Sequence, residues 1–234
     1  PDQVLVGNGA NEVITFVIKA FCEQGDNIIT ADKTFAVYEW VATFSGIEAR
    51  VIPLVREGFD DQGMLCAIDH RTKILFVCNP NNPTGTYWSR KTLTDFLDAV
   101  DGRQIVVIDE AYFEFVEAAD YPDGIALIRQ YPNVVVFRTF SKMYGLAALR
   151  IGYLAGNPDV VDMIRRTCVV YSVNAIAQEA ARAALQDDTG HIRRTRELVA
   201  ESKAFLCEEI SKMGLPLIAG EGNYLIVRLP GSDT

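Results

Sequence analysis

One lysine stands in a setting that suits covalent chemistry with an aldehyde. Lys142 closes the segment Thr139–Lys142 (TFSK) just after the apolar run 134–137, and Arg150 follows eight residues later. A lysine amine forms a Schiff base with a carbonyl, as in pyridoxal phosphate (PLP) enzymes, while hydroxyls and a fixed cation suit a phosphate group. Alone, such a lysine is more often a solvated surface residue after a strand. Other segments of the sequence are needed to distinguish these two interpretations of Lys142.

Two segments upstream strengthen the cofactor interpretation. The first, Asn79–Gly85 (NPNNPTG), is typical of a proline-braced turn after the apolar run 74–77. The second, Ile105–Tyr112 (IVVIDEAY), is an apolar run that ends in two carboxylates. Together with the lysine segment, and in this order, they resemble the signature set of the class I/II aminotransferases of fold type I. The resemblance implies PLP as cofactor, an amino donor and a 2-oxo acid as substrates, and a homodimer.

A glycine-containing segment near the start is the candidate phosphate site. Gly7–Glu12 (GNGANE) opens a helical pattern, whose first turn offers free N–H donors and the positive end of the helix dipole. It is not a dinucleotide fingerprint, because Glu12 stands at the third glycine position; a simple asparagine-capped helix fits the string equally well. The resemblance implies phosphate contacts from Ala10, Asn11, Thr139, Ser141 and, by a bidentate pairing, Arg150.

Asp109 is the candidate partner of the pyridine nitrogen. A buried carboxylate favours the protonated nitrogen, which lets the ring withdraw electrons. A lone aspartate at a strand end is more often a helix cap, but Tyr112 follows three residues later. The resemblance implies that Asn82 and Tyr112 hydrogen-bond the phenolic oxygen and that Phe35 stacks on the ring, with Tyr38 as the less favoured substitute.

The resemblance also implies a catalytic set of Lys142, Asp109 and Tyr112. Lys142 would hold the cofactor until the substrate amine displaces it. The freed amine would then act as general base and acid toward the α-proton of the substrate.

Two strings indicate one subfamily. Asp109–Phe115 (DEAYFEF) and Tyr171–Gln178 (YSVNAIAQ) resemble those of histidinol-phosphate aminotransferases, although Val170 replaces the usual proline and Ser172 an asparagine. The implied reaction converts L-histidinol phosphate and 2-oxoglutarate into imidazole acetol phosphate and L-glutamate, in histidine biosynthesis. Aromatic amino-acid aminotransferases and threonine-phosphate decarboxylases are alternatives with the same cofactor residues. A further alternative, from a different class, is the PLP-binding sensor domain of a transcription regulator, which keeps the lysine without turnover.

The residues that would select the substrate are not located in the sequence. In the family they are an arginine near the C-terminus, the N-terminal segment and a tyrosine from the partner subunit. We expect the chain to be a segment of a longer enzyme, without the two ends of that enzyme. The substrate is therefore inferred by resemblance only.

Composition argues against several other functions. The 234 residues are 49% hydrophobic and 23% charged, and the net charge of −9 with scattered basic residues disfavours a nucleic-acid surface. No apolar run is long enough to span a bilayer, and no signal-peptide pattern is present. No metal site is predicted. We expect a cytoplasmic protein, whose reduced core cysteines are Cys22, Cys66, Cys78, Cys168 and Cys207.

Apolar β-branched runs alternate with helical patterns, which predicts an α/β fold with a mostly parallel sheet; the resemblance implies the three-layer large domain of fold-type I enzymes. The predicted strands are Asn27–Thr30, Ala49–Leu54, Ile74–Cys78, Ile105–Ile108, Val134–Phe137 and Ile151–Leu154. The predicted helices are Asn11–Cys22, Val37–Ser45, Lys91–Val100, Pro158–Thr167 and Ile176–Gln186. Because open α/β sheets bind ligands at the carboxyl ends of their strands, Asn82, Asp109 and Lys142 are expected to lie there.

After residue 186 the composition changes. A long charged amphipathic helix is predicted at His191–Lys212, followed by a strand at Tyr224–Val227. The apolar stripe of that helix would be Ile192, Leu198, Phe205 and Ile210. By resemblance, residues 1–186 form the PLP-binding large domain, and residues 187–234 form the interdomain helix and the start of a small C-terminal α+β domain.

Overall fold

A mixed β-sheet forms the centre of the molecule in a computed structural model that describes residues 1–186 and 189–231. Within those ranges its strands are β1 (Val4–Gly7), β2 (Asn27–Ala31), β3 (Glu48–Ile52), β4 (Thr72–Cys78), β5 (Ile105–Asp109), β6 (Val134–Thr139) and β7 (Gly152–Gly156). Their spatial order is β1-β7-β6-β5-β4-β2-β3. Two short strands, β8 (Leu217–Ile218) and β9 (Ile226–Val227), form a separate antiparallel pair.

Most of the sheet is parallel. Strands β3, β2, β4, β5 and β6 pair in parallel, whereas β7 is antiparallel to β6 and β1 is antiparallel to β7. Helices cover both faces of the sheet, so the predicted three-layer α/β architecture is confirmed. The helices of the described residues are α1 (Ala10–Phe21), α2 (Val37–Phe44), α3 (Asp61–Cys66), α4 (Arg90–Val100), α5 (Gly124–Leu127), α6 (Pro158–Arg165), α7 (Ala175–Gln186) and α8 (His191–Lys212).

The three central strands fix the geometry of the site. Residues 74–78, 106–109 and 134–137 are buried, as expected for parallel strands covered by helices on both faces. Full burial of one large apolar side chain contributes roughly 1.5–3 kcal/mol, so these strands anchor the fold. Their register pairs Cys78 with Asp109 and Asp109 with Phe137. The carboxyl ends of β4, β5 and β6 therefore lie side by side at one edge.

The predicted strands and helices are present, with ends that differ by a few residues. The sequence patterns missed β1, α3, α5 and β8 because those elements are too short to show a period. Asp60 caps α3 by accepting a hydrogen bond from the Gly63 amide at 3.0 Å, and Asp123 caps α5 through the Ile125 amide at 3.1 Å. Side-chain caps of this kind stabilise short helices that lack a strong pattern.

Helix α8 has the predicted bounds but a different apolar face. Leu198 and Phe205 are 63% and 62% exposed, so the predicted stripe is wrong at these two positions. Ile192, which belongs to the predicted stripe, and Val199, which does not, pack on a cluster that contains Tyr112. The strand predicted at Tyr224–Val227 is shorter, as β9. The predicted domain boundary after Gln186 and the end of the second predicted domain fall partly on residues outside the described ranges.

Burial of the cysteines differs from the prediction. Cys78 is buried, Cys22 and Cys168 pack partly against the core, and Cys66 is exposed because α3 turns it outward. All five thiols are free, and burial raises the pKa of Cys78 to about 12. In the part of the chain that the structure describes, helices long and apolar enough to cross a membrane are absent.

Candidate active site

A cavity of about 180 Å³ opens at the carboxyl ends of β4, β5 and β6. It brings together all the residues that the sequence predicted to hold the cofactor. Its lining consists of Ala10, Asn11, Phe35, Cys78, Asn82, Asp109, Ala111, Tyr112, Thr139, Ser141, Lys142, Ala147 and Arg150. A larger cleft of about 660 Å³ lies between the loop at Pro83 and the β8–β9 pair, and its lining is mainly apolar. We assign the site to the smaller cavity because a buried carboxylate, an amine and a guanidinium beside a helix start converge there.

Asp109 is a buried carboxylate held on both oxygens. The Tyr38 hydroxyl donates to Oδ2 at 2.6 Å, and the Ala111 amide donates to Oδ1 at 3.1 Å. Burial raises the pKa of Asp109, while these two hydrogen bonds and the positive charge of Lys142 oppose the rise. Asp109 is therefore a hydrogen-bond acceptor fixed in the interior. The role of a helix cap does not explain this burial.

Lys142 lies in the turn that follows β6. Its carbonyl accepts a hydrogen bond from the Gly145 amide at 3.0 Å, and its side chain is exposed toward the cavity. Its Nζ lies 5.4 Å from the centroid of the Tyr112 ring. The amine is thus accessible to a ligand, and the face of the Tyr112 ring lies beside it.

Tyr112 and Asn82 form a pair at the same end of the cavity. The Asn82 amide nitrogen donates to the Tyr112 hydroxyl oxygen at 3.2 Å. Burial, together with the nearby Cys78 and Asp109, raises the pKa of Tyr112. The phenol therefore stays protonated at neutral pH and can donate a hydrogen bond to an acceptor in the cavity.

The start of α1 and Arg150 form the basic end of the cavity. The helix N-cap is Gly9, with a φ of 80° and without a side-chain cap, so the asparagine-capped alternative is wrong. A β-carbon at Gly9 would collide with the guanidinium of Arg150, which shows how closely this cation approaches the helix start. The Arg150 Nη1 donates to the Ala147 carbonyl at 2.9 Å. First-turn amides and a cation are the groups that bind a phosphate.

Phe35 and Tyr38 have distinct places. Phe35 lines the cavity, while Tyr38 is fully buried and stacks on Phe76 with ring centroids 4.7 Å apart. The rings of Phe35 and Tyr38 meet edge to face at 5.6 Å. The structure therefore places Phe35 at the cavity and Tyr38 in the core, where the Tyr38 hydroxyl holds Asp109.

Sequence reasoning missed three contributors to this region. Tyr38 was considered only as an aromatic ring, although a hydroxyl among buried residues needs a partner. Cys78 stands opposite Asp109 in the sheet, which a strand-end alignment would have shown. Tyr224 donates to the Asn81 carbonyl at 2.7 Å, and its ring lies 4.8 Å from that of Tyr112. Nothing in the local sequence signals this last contact.

Comparison with known proteins gives a consistent result. The family model for aminotransferase class I and II matches residues 1–233. The chain is 40% identical to a histidinol-phosphate aminotransferase of Anaeromyxobacter sp., over 99% of this chain and 64% of that protein. It is 42% identical to histidinol-phosphate aminotransferase 2 of Pseudomonas fluorescens Pf-5, over 97% of this chain and 61% of that protein. The chain thus spans a little over three fifths of these relatives.

A solved structure shows the same fold. Histidinol-phosphate aminotransferase from Sinorhizobium meliloti, in complex with pyridoxal-5'-phosphate, superimposes with a TM-score of 0.91 at 25% identity. The match covers 97% of this chain and 61% of that one.

Proposed function

This chain belongs to the class I and II aminotransferase family, and from that premise we propose that the protein of which it forms a part is a PLP-dependent transaminase. The observation that carries the proposal is the cavity at the strand ends. Its lining joins a buried carboxylate, an accessible lysine and an uncapped helix start beside an arginine. Class I and II aminotransferases are PLP-dependent, and these groups fit that cofactor.

The chemistry of the lining assigns each part of the cofactor to residues of this chain. We assign Lys142 to the aldehyde, Asp109 to the pyridine nitrogen, and Asn82 with Tyr112 to the phenolic oxygen. Phe35 would cover one face of the ring. The phosphate would be held by Ala10, Asn11, Thr139, Ser141 and Arg150.

When bound, PLP supplies an electron sink for the substrate carbon that bears the amino group. Asp109 keeps the pyridine nitrogen protonated, because a buried anion stabilises a cation beside it. Lys142 would hold the cofactor covalently until the substrate amine displaces it, and its freed amine would move the proton at the substrate α-carbon as general base and acid. Tyr112 and Asn82 orient the ring by donating hydrogen bonds. The catalytic set is therefore Lys142, Asp109 and Tyr112.

We further propose L-histidinol phosphate and 2-oxoglutarate as the substrates, hence a role in histidine biosynthesis. The support is the name shared by the relatives at 40% and 42% identity. We also propose a cytoplasmic homodimer, with residues 1–186 as the large domain and residues 187–234 as the interdomain helix and the start of the small domain. Sedimentation that shows an active monomer would contradict the dimer.

The test uses the full-length protein with PLP. Borohydride should abolish the visible absorption of the bound cofactor and fix it to the peptide that contains Lys142. Lys142→Ala is the control and should not be labelled. Attachment at another lysine would contradict the assignment of the site.

Substrate choice is tested on the same preparation. With 2-oxoglutarate as acceptor, turnover should be faster with histidinol phosphate than with phenylalanine or tyrosine. Faster turnover of an aromatic amino acid would favour the alternative specificity. Bound cofactor without amino-group transfer from any of these donors would favour a sensor domain.

A further inference from the structure

A buried ion pair lies next to the cavity, and we propose that Glu110 and Arg138 are positioning residues that fix the cofactor-binding ends of β5 and β6 to each other. The inference rests on the proposed function. Arg138 donates from Nε and Nη2 to Glu110 Oε2 at 2.9 and 2.8 Å. Its Nη2 also donates to Asp123 Oδ1 at 2.7 Å. The Glu110 side chain is 0% exposed, and that of Arg138 is 11% exposed.

The second oxygen of Glu110 is held as firmly as the first. Oε1 accepts from the Gly124 amide at 2.7 Å, at the start of α5. A β-carbon at Gly124 would stand 2.7 Å from that oxygen, so this close approach requires a glycine. The carboxylate is thereby fixed from two sides and has little freedom to rotate.

The guanidinium also holds the turn after β5. The Arg138 Cζ lies 3.6 Å from the centroid of the Phe113 ring, a cation–π contact between two half-buried side chains. Phe113 follows Tyr112 directly in the chain. One cation on β6 therefore contacts both Glu110 and Phe113, which flank the segment 111–112.

Each residue of the pair stands one position away from a residue that lines the cavity. Glu110 follows Asp109, and Arg138 precedes Thr139 in the strand that leads to Lys142. Neither Glu110 nor Arg138 lines the cavity, whereas each of those neighbours does. A shift of the pair would move the carboxylate and the lysine relative to each other without touching the cofactor.

Stability alone does not account for this arrangement. Desolvation of a buried ion pair opposes its Coulomb attraction, and well-packed apolar replacements often leave a protein as stable as before. Burial raises the pKa of Glu110 to about 7 even though the charge of Arg138 opposes the rise. What a charged, multiply bonded pair provides beyond an apolar contact is directional geometry.

The test removes the charges and keeps the acceptor. Glu110→Gln/Arg138→Met in the full-length protein retains an oxygen for the Gly124 amide and leaves no unpaired buried charge. Glu110→Gln alone is a milder variant. The matched control is Asp162→Asn/Arg166→Met, an exposed pair at 2.6 Å at the C-terminal end of α6 that does not line the cavity.

We expect the double variant to unfold in urea at the midpoint of the control. Its kcat should fall on the order of a hundredfold, as for a misplacement of about 1 Å. The pH midpoint of the visible absorption of bound PLP should shift. In the cofactor-free protein, amides 110–115 should exchange hydrogen faster, while those of β4 stay unchanged. The milder variant should change in the same direction, and the control should not change.

Unchanged kcat, spectrum and exchange in a folded double variant would overturn the proposal. If the double variant does not fold, the milder one decides: a normal spectrum and kcat there would make the pair structural only. Failure of the full-length parent to bind PLP would instead refute the proposed function. The exchange experiment needs no cofactor, so the two failures remain distinguishable.

Discussion

Two regions of the molecule are built in opposite ways. The strand-end edge is formed by the carboxyl ends of β4, β5 and β6, and the C-terminal segment consists of residues 189–231. At the edge, strands with fully buried side chains present Asp109 in a fixed register. In the segment, the 22-residue helix α8 has no residue that counts as buried, and β8 and β9 have two residues each. The edge is therefore built into the buried core of the sheet, whereas the described part of the segment lies outside that core.

The two regions meet at several points, one of which is the loop that follows β4. The Tyr224 hydroxyl bonds the Asn81 carbonyl at 2.7 Å, and the Glu221 amide bonds the Gly85 carbonyl at 2.7 Å. Both acceptors belong to the segment Asn79–Gly85, which also carries Asn82. The C-terminal segment thus contacts the site from its outer side. Changes at the edge should affect chemistry strongly, and changes in the segment should affect it weakly.

The largest effect is expected for Asp109→Asn in the full-length protein. A neutral amide cannot stabilise the protonated pyridine nitrogen, so kcat should fall by about 10²–10³-fold, as for other single electrostatic contacts to a reacting centre. PLP should still bind, because the remaining contacts stay in place. The measurement is steady-state turnover at saturating PLP, and near-normal kcat would show that Asp109 is only a cap.

Arg150→Ala should act on affinity rather than on chemistry. Loss of a charge-assisted contact costs about 1.5–3 kcal/mol, hence roughly a ten- to hundredfold rise in the Kd of PLP. Saturating PLP should restore much of the rate. Arg166→Ala, at an exposed arginine that follows α6, is the control and should leave the Kd unchanged. An unchanged Kd for Arg150→Ala would show that the phosphate lies elsewhere.

The cofactor residues changed in these variants could be predicted from the sequence. The residues predicted to hold the cofactor line one cavity, because each lies at a strand end or a helix start that its own sequence marks. Hydrophobic runs bounded by turns place Asp109 and Lys142 without knowledge of the rest of the fold.

Contacts between segments distant in the chain could not be predicted from the sequence. The partner of Tyr38 is Asp109, 71 residues away, and that of Tyr224 is Asn81, 143 residues away. No local period encodes such pairs. The apolar stripe predicted for α8 was wrong at Leu198 and Phe205 for a related reason. The pattern indicates amphipathicity, but the face that packs depends on where the helix meets the cluster around Tyr112.

Tyr38→Phe tests the buried hydrogen bond through its pH dependence. Because burial raises the pKa of Asp109 in the folded state, its contribution to stability falls as pH rises through the unfolded value near 4 toward the folded pKa. The Tyr38 hydroxyl opposes that rise in pKa. Its removal should therefore cost little near pH 4 and about 1.5 kcal/mol at pH 8 in urea unfolding of the cofactor-free protein.

Tyr131→Phe is the matched control for that experiment. The Tyr131 hydroxyl donates to Asp98 at 2.8 Å, but this carboxylate is exposed. The cost should be below about 1 kcal/mol and should vary little with pH. Equal pH profiles for the two variants would show that the Tyr38 hydroxyl does not influence the titration of Asp109.

The smallest effect is expected for Tyr224→Phe, where the two regions touch. The change keeps the ring against Tyr112 and removes the hydrogen bond to the Asn81 carbonyl, a loss of about 1 kcal/mol. Since the loop remains held by the Asn81 side chain, which bonds the Thr34 hydroxyl at 2.7 Å and the Lys33 carbonyl at 2.9 Å, PLP affinity should fall less than about fivefold.

Tyr87→Phe, which removes an exposed hydroxyl from Asp120, controls for the loss of a phenol oxygen. PLP titration of both variants gives the measurement. If Tyr224→Phe weakened PLP as much as Arg150→Ala does, the C-terminal segment would be part of the cofactor site. The contrast between a buried edge and a peripheral segment would then fail, because the loop at Asn81 would transmit the segment's position directly to Asn82.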